Sequence, residues 1–293
     1  MVLDKKNAPG VGRPKMIVMP FQPAVGQLFD GTGLGTHFFL GNLLGVHGGL
    51  GECWFGWRVK KIFPEIGFFK DYCRNHKPFS DIQKLGRQQK VRYWLEGSYR
   101  QTGETLFLSL VLHDTQVGTG ASKMDLQVTL NDGLLGARTA FFAWLEVCGI
   151  AFIGIEKAMW PERISCQGLD CLGRGLEALY LTYIQGEGAD SNLIDLTWFD
   201  RAVDVSKDSY LVQDLKGWAL YKNGEFSLAK KAFASALDLN PDGLGALSGM
   251  MWCALVAKDR ERSLSYSLAK AACRGEYLEK ARAFVDKKLG ELP

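Results

Sequence analysis

The sequence predicts an α+β protein, with strands and helices interleaved in its first half and helices alone in its second. Three observations carry this. Residues 91–130 hold three β-rich runs separated by short Gly-bearing turns. Beyond Pro161 no strand-like run remains, and from 167 to 289 the apolar residues fall at helical spacing, broken at short intervals by Gly, Asn or Pro. The chain has 293 residues, 47% of them apolar, enough to bury the cores of two modest domains without covalent staples. The organisation expected is a loose arm over 1–15, an α/β unit over 16–160 and a helical unit over 161–293.

Residues 16–21 (MIVMPF) form a short apolar run that reads as a buried first strand, ended by Pro20 and Pro23. A Gly-rich turn follows at 31–35, and then 36–46 is apolar at helical spacing, with Thr36 as N-cap and Gly48, Gly49 and Gly51 closing the helix. A second strand is expected over 53–59 and a short helix over 80–89. Next come the strands 91–99, 105–113 and 123–130, joined by turns at 101–104 and 115–121 and therefore an antiparallel meander. A helix over 134–155 closes the first unit.

Composition removes several classes of function. A net charge of +3, from 35 basic and 32 acidic residues, offers no concentrated basic face for nucleic acid. Seven cysteines at irregular spacing, with no CxxC pair, read as free and largely buried thiols in a reducing compartment. No apolar leader follows the basic residues of the N-terminus, so the expected location is the cytoplasm. The longest apolar stretch, 139–155, contains Glu146 and falls short of the ~20 residues a membrane span needs.

The most specific signal lies in residues 210–241. Gly217 and, one turn on, Leu220 stand in a first helix; Asn223-Gly224-Glu225 forms a turn followed by Phe226. Ala229, Phe233 and Ala236 line a second helix that ends at Pro241. This segment resembles the tetratricopeptide repeat, with Gln213 and Lys216 standing where that family usually has Trp and Leu. The small residues let two helices approach closely; Leu220, Phe226 and Phe233 are expected to fill the gap; Gly224 makes the turn, and Pro241 blocks continuation. Neighbouring hairpins are expected over 169–206, with Gly175, Phe199 and Ala202, and over 244–273, with Met251 and Ala254, followed by a capping helix over 277–292. In the later hairpin Ser263, Ser267 and Lys270 replace the small and aromatic residues of the pattern. Three units just meet what a solenoid requires.

A second resemblance covers residues 16–150. Leu95-Glu-Gly-Ser98, Gly103, Asp114 and Gly118, with Pro20-Phe21 and Asp30-Gly31, are similar to the N-terminal domain of TolB, in the version that precedes tetratricopeptide repeats in bacterial signalling proteins. That resemblance implies an α/β sandwich with a mixed sheet and implies no enzyme activity.

Chemical motifs are weak. The N–H groups of Gly31, Gly33, Gly35 and Thr36 could cradle a phosphate at a helix N-terminus, but neither a complete GxGxxG nor a Walker lysine is present. His37, His47, His76 and His113 show no metal spacing. Gly120-Ala-Ser122 lacks the closing glycine of a nucleophile elbow, and Glu96 and Asp114 flank one hairpin where they could approach each other. Trp218 and Trp252 read either as packing residues or as anchors for a bound peptide. The expected function is therefore a protein–protein adaptor or assembly subunit with no cofactor, no metal and no catalytic residue. Its groove would be lined by Gln213, Lys216, Tyr221, Trp252 and Lys258, and its oligomeric state stays open. The alternatives are a nucleotide or ligand sensor using the 31–36 loop and, third, a periplasmic envelope protein like TolB itself.

Overall fold

The computed structural model describes residues 13–25, 30–47, 50–56, 59, 88–116, 121–129, 135–150, 163–185, 194–274 and 277–291. The arm as far as residue 12, most of the helix expected over 80–89, the tip of the turn at 117–120 and residues 151–155 lie outside these. An N-terminal mixed sheet is followed by a helical region, the α+β arrangement that the sequence predicts.

Strand β1 (Lys15–Val18) carries Met16, Ile17 and Val18, all fully buried. It lies inside the sheet, parallel to both β3 (Glu52–Trp54) and β4 (Tyr93–Thr102), and a strand covered on both faces needs such a continuous apolar run. Pro20 has no N–H to donate, so the expected strand over 16–21 stops early. The chain rejoins β4 as the short β2 (Gln22–Pro23). β5 (Thr105–Asp114) and β6 (Ala121–Thr129) complete the order β3-β1-β4-β5-β6, antiparallel from β4 onward. The turn between β4 and β5 is two residues long, with Gly103 at φ 58° in the first central position, where an L side chain is disfavoured.

Alternation along the meander separates two faces. Leu95, Tyr99, Leu106, Leu108, Leu110, Leu112, Leu126 and Val128 are buried on one. Helices α1 (Thr32–His47) and α2 (Leu135–Val147) lie there, tied by Tyr99 Oη to Asp30 (2.7 Å) and by Trp144 Nε1 to Ser122 Oγ (2.8 Å). The opposite face holds Glu96, Arg100, Phe107, Ser109, Asp125 and Gln127.

The helices continue as α3 (Cys166–Gln185), α4 (Thr197–Val205), α5 (Tyr210–Lys222), α6 (Phe226–Leu239), α7 (Leu244–Val256), α8 (Arg260–Arg274) and α9 (Leu278–Glu291). α3 packs along α1, so one apolar core runs from the sheet into the hairpins. Its N-terminus receives the Glu104 carboxylate from the β4–β5 turn, which accepts the Cys166 N–H at 3.1 Å. From α4 onward each helix packs on its predecessor.

Candidate functional site

Helices α5, α7 and α9 begin at Tyr210, Leu244 and Leu278, at intervals of 34 residues. The second helices α6 and α8 begin at the same interval, at Phe226 and Arg260. The turns repeat as well. Gly224 ends α5 at φ 79°, and Lys258, 34 residues later, ends α7 in the same left-handed conformation at φ 55°. The Lys258 N–H closes that turn on the Leu255 carbonyl.

Phe233 holds the array together. Its fully buried ring sits between Gly217 of α5 and Gly249 of α7, and a Cβ at Gly217 would lie 2.6 Å from two ring carbons. Trp218 meets the same ring edge-on, with centroids 5.4 Å apart. Ala229 and Ala236 are fully buried and Leu220 nearly so. Phe226 differs: it opens α6 at the rim, 38% exposed, and rests on Tyr221 rather than filling the gap. Pro241 is exposed in the turn after α6. An earlier copy of the interlock joins α3 and α4, where a Cβ at Gly175 would be 2.9 Å from the Phe199 ring. In α7–α8 the corresponding positions are Met251 and Ser267, both buried. The large residue has changed helices, which keeps total volume while hiding the pattern.

The five groove residues do not converge. Gln213 and Lys216 share the half-exposed face of α5; Gln213 Nε2 donates to the Lys207 carbonyl (3.2 Å), and Lys216 Nζ pairs with Asp200 of α4 at 2.8 Å. Tyr221 packs between Trp218 and Phe226. The Trp252 ring is taken by Phe284 of α9, at 6.0 Å, and Lys258 lies at the far turn. A polar surface therefore remains around Gln213, Lys216 and Asp200, while Tyr221 and Trp252 serve packing.

Asp214 and Gly249 were not legible as special in the sequence. Asp214 is 3% exposed between α5 and α7, where a Cβ at Gly245 would collide with its carboxylate. Burial pushes its carboxyl up to about 7, against the lowering influence of the Trp218 hydrogen bond. The available signal was an acid on the same turns as the apolar Leu211, Val212 and Leu215.

The phosphate-loop reading of Gly31, Gly33, Gly35 and Thr36 is corrected by the start of α1. The helix begins at Thr32 rather than after Thr36, so Gly33, Gly35 and Thr36 are helical and the Gly35 N–H is spent on the Gly31 carbonyl. Asp30 accepts the Thr32 N–H at 2.8 Å and Asp170 accepts the Gly31 N–H at 2.6 Å. Carboxylates thus already satisfy the Gly31 and Thr32 N–H groups. The glycines instead admit neighbouring backbone: a side chain at Gly31 would strike the Asp170 carbonyl, at Gly33 the Phe21 carbonyl, and at Gly35 the Leu169 carbonyl.

Other candidates resolve in the same way. Glu96 lies opposite Val111 and Asp114 opposite Tyr93, which puts the two acids on opposite faces rather than side by side. Glu96 pairs with His113 (3.1 Å), and Asp114 with Arg92 (3.0 Å). His37 is a structural pin between α1 and the sheet. Its Nε2 accepts the Gly56 N–H at 2.7 Å, and desolvation lowers its pKa to about 3, against the raising influence of the Met19 and Val18 backbone, which keeps it neutral. Cys166, Cys171 and Cys253 are buried and unpaired, and burial pushes the Cys166 thiol up to about 12, well away from a reactive thiolate. A groove of about 480 Å³ on the sheet face opposite α1 and α2 is lined by Ser98, Arg100, Phe107, Ser109 and Gln127. Its Arg100 is stacked on Phe107 and its Asp125 is bonded to Ser109. Among the described residues no cluster of three or more His, Cys, Asp or Glu could hold a metal, and no helix is long and apolar enough to cross a membrane. No protein-family model and no curated protein matches this chain.

Proposed function

We propose that the chain is a non-enzymatic protein-binding scaffold, an adaptor or assembly subunit, whose helical hairpins act as tetratricopeptide-type repeats. The observation that carries this reading is the 34-residue interval of α5, α7 and α9, the period of that repeat, together with the interlock of Phe233. In this reading the sheet unit is a TolB N-terminal-like sandwich, and the unpaired thiols support a cytoplasmic setting. The partner contributes an extended or helical segment that lies across α5, where Gln213, Lys216 and Asp200 supply polar contacts.

The test is affinity capture with the tagged full chain. The double variant Gln213→Ala/Lys216→Glu loses the captured protein, while Lys287→Glu, on exposed α9, keeps it. Capture that survives the double variant, or an absence of any captured protein, refutes the scaffold reading.

A further inference from the structure

We infer that β6 is a self-complementary edge through which two copies of this chain join their sheets. This rests on the meander and not on the hairpin reading.

The outward groups of β6 follow from the ladder. The Thr115 N–H donates to the Arg92 carbonyl, and these residues continue the register of Tyr93 with Asp114. Hydrogen-bonded pairs alternate along an antiparallel ladder, so odd-numbered residues of β5 bond to β4 and even-numbered ones bond to β6. Leu108 and Leu110 face Leu126 and Met124 in register. The even-numbered residues of β6 are therefore satisfied by β5. Ala121, Lys123, Asp125, Gln127 and Thr129 turn their N–H and C=O groups away from the sheet. Among the described residues nothing pairs with that edge, and Lys123, Asp125, Gln127 and Thr129 are exposed. Nine residues of open strand is a length that folded chains usually shield.

Charge selects the occupant and its register. Only odd residues can bond to odd residues across a two-fold axis, so the axis passes through a β6 residue. Centred on Asp125, two carboxylates face each other; centred on Lys123, two ammonium groups do. Centred on Met124, Lys123 lies opposite Asp125 of the partner subunit, and Asp125 opposite Lys123 of the partner subunit. Ala121 then faces Gln127 of the partner subunit. Lys123 makes no ion pair or hydrogen bond among the described residues, and Asp125 is engaged only by the Ser109 hydroxyl at 2.7 Å, which leaves carboxylate lone pairs free. Opposite charges directly across antiparallel strands attract, and like charges repel. The side chains of both residues are exposed on the sheet face opposite α1 and α2.

Sedimentation equilibrium of the full chain across a concentration series tests this. The wild type is expected to show a monomer–dimer equilibrium. Lys123→Asp and Asp125→Lys each place like charges opposite one another twice per dimer, so each weakens self-association by about tenfold or more. Mixed in equal amounts, the two variants recover a dimer, because two acids at positions 123 and 125 of one copy then face two lysines of the other; this recovery also shows that both are folded. Gln127→Pro removes one outward N–H without touching the β5 ladder and weakens the dimer as well. A wild type that stays monomeric at every concentration overturns self-pairing and leaves the edge to a strand of a different protein. A dimer untouched by both charge swaps overturns it too.

Discussion

Phe233 offers the sharpest test of how the hairpins are held. A methyl at Gly217 would stand 2.6 Å from the Cδ1 and Cε1 atoms of the ring, against an ordinary carbon–carbon contact of about 3.5–4.0 Å. The ring must retreat by about 1 Å, yet Gly249 closes the space behind it. Overpacking of this kind costs about 1–3 kcal/mol. Against that, replacing a helical glycine by alanine gains about 1 kcal/mol. Gly217→Ala alone is therefore expected to change stability by about 0–2 kcal/mol in the unfavourable direction. Phe233→Leu withdraws the ring edge, and in that background Gly217→Ala keeps only the helical gain. Urea unfolding of the four proteins closes the cycle, with an expected coupling of about 1–3 kcal/mol between positions 217 and 233. Additivity within about 0.5 kcal/mol would refute the seating of the ring against α5.

Asp214 predicts a pH dependence. Its carboxyl is raised from 3.8 to about 7 in the native state, so the folded protein binds the proton more tightly than the unfolded chain. That stabilisation is complete below about pH 4 and is lost as pH rises through about 7, by about 1.4 kcal/mol per unit at most. Asp214→Asn removes the slope, so urea midpoints of the variant gain on wild type between pH 5 and pH 8; parallel profiles would show that the acid is not desolvated. A second pair separates the two uses of helical glycine. Gly173→Ala drives a methyl into the Gly31 carbonyl just before α1 and is expected to cost about 2 kcal/mol or more, whereas Gly290→Ala, with open space around it, gains about 0.5–1 kcal/mol. Thermal melts that rank the two variants the other way would deny the close α1–α3 contact.

The meander was the most legible part of the fold because its information is local. Alternation within 105–113, and a glycine whose φ the two-residue turn demands, are properties of a few neighbouring residues. The 31–35 glycines show where local reading stops. Glycine serves both backbone freedom and the absence of a side chain, and only a partner distinguishes them. For Gly31 and Gly35 that partner is Gly173 and the Leu169–Asp170 backbone, far along the chain and across the division expected at 160, and for Gly33 it is the Phe21 carbonyl. The groove residues rest on analogy with first helices that line a concave face. Trp252 has that position, but α9 lies over it, and nothing within 244–273 announces a helix that packs from outside the hairpin. A single acid in a helix, such as Asp214, reads as solvated until its neighbours are known.

The exchange of Gly217/Phe233 for Met251/Ser267 explains why the repeat faded after one copy. What the array conserves is filled volume between helices, so a search for glycine and phenylalanine at fixed positions loses the second unit while the packing keeps it. The same reasoning bears on the ends. A stack of hairpins leaves an apolar face at each terminus, and a solenoid needs both covered. At one end α3 is buried against α1, so the sheet layer itself acts as the cap. At the other, α9 starts on the repeat interval but buries Val285 alone among its residues and turns charged side chains outward. With α3 packed on α1 and Trp252 covered by α9, the polar side chains of α5 are the part of the first helices that the scaffold proposal relies on. Under that proposal the contact falls at Gln213 and Lys216 rather than along the full length of the array.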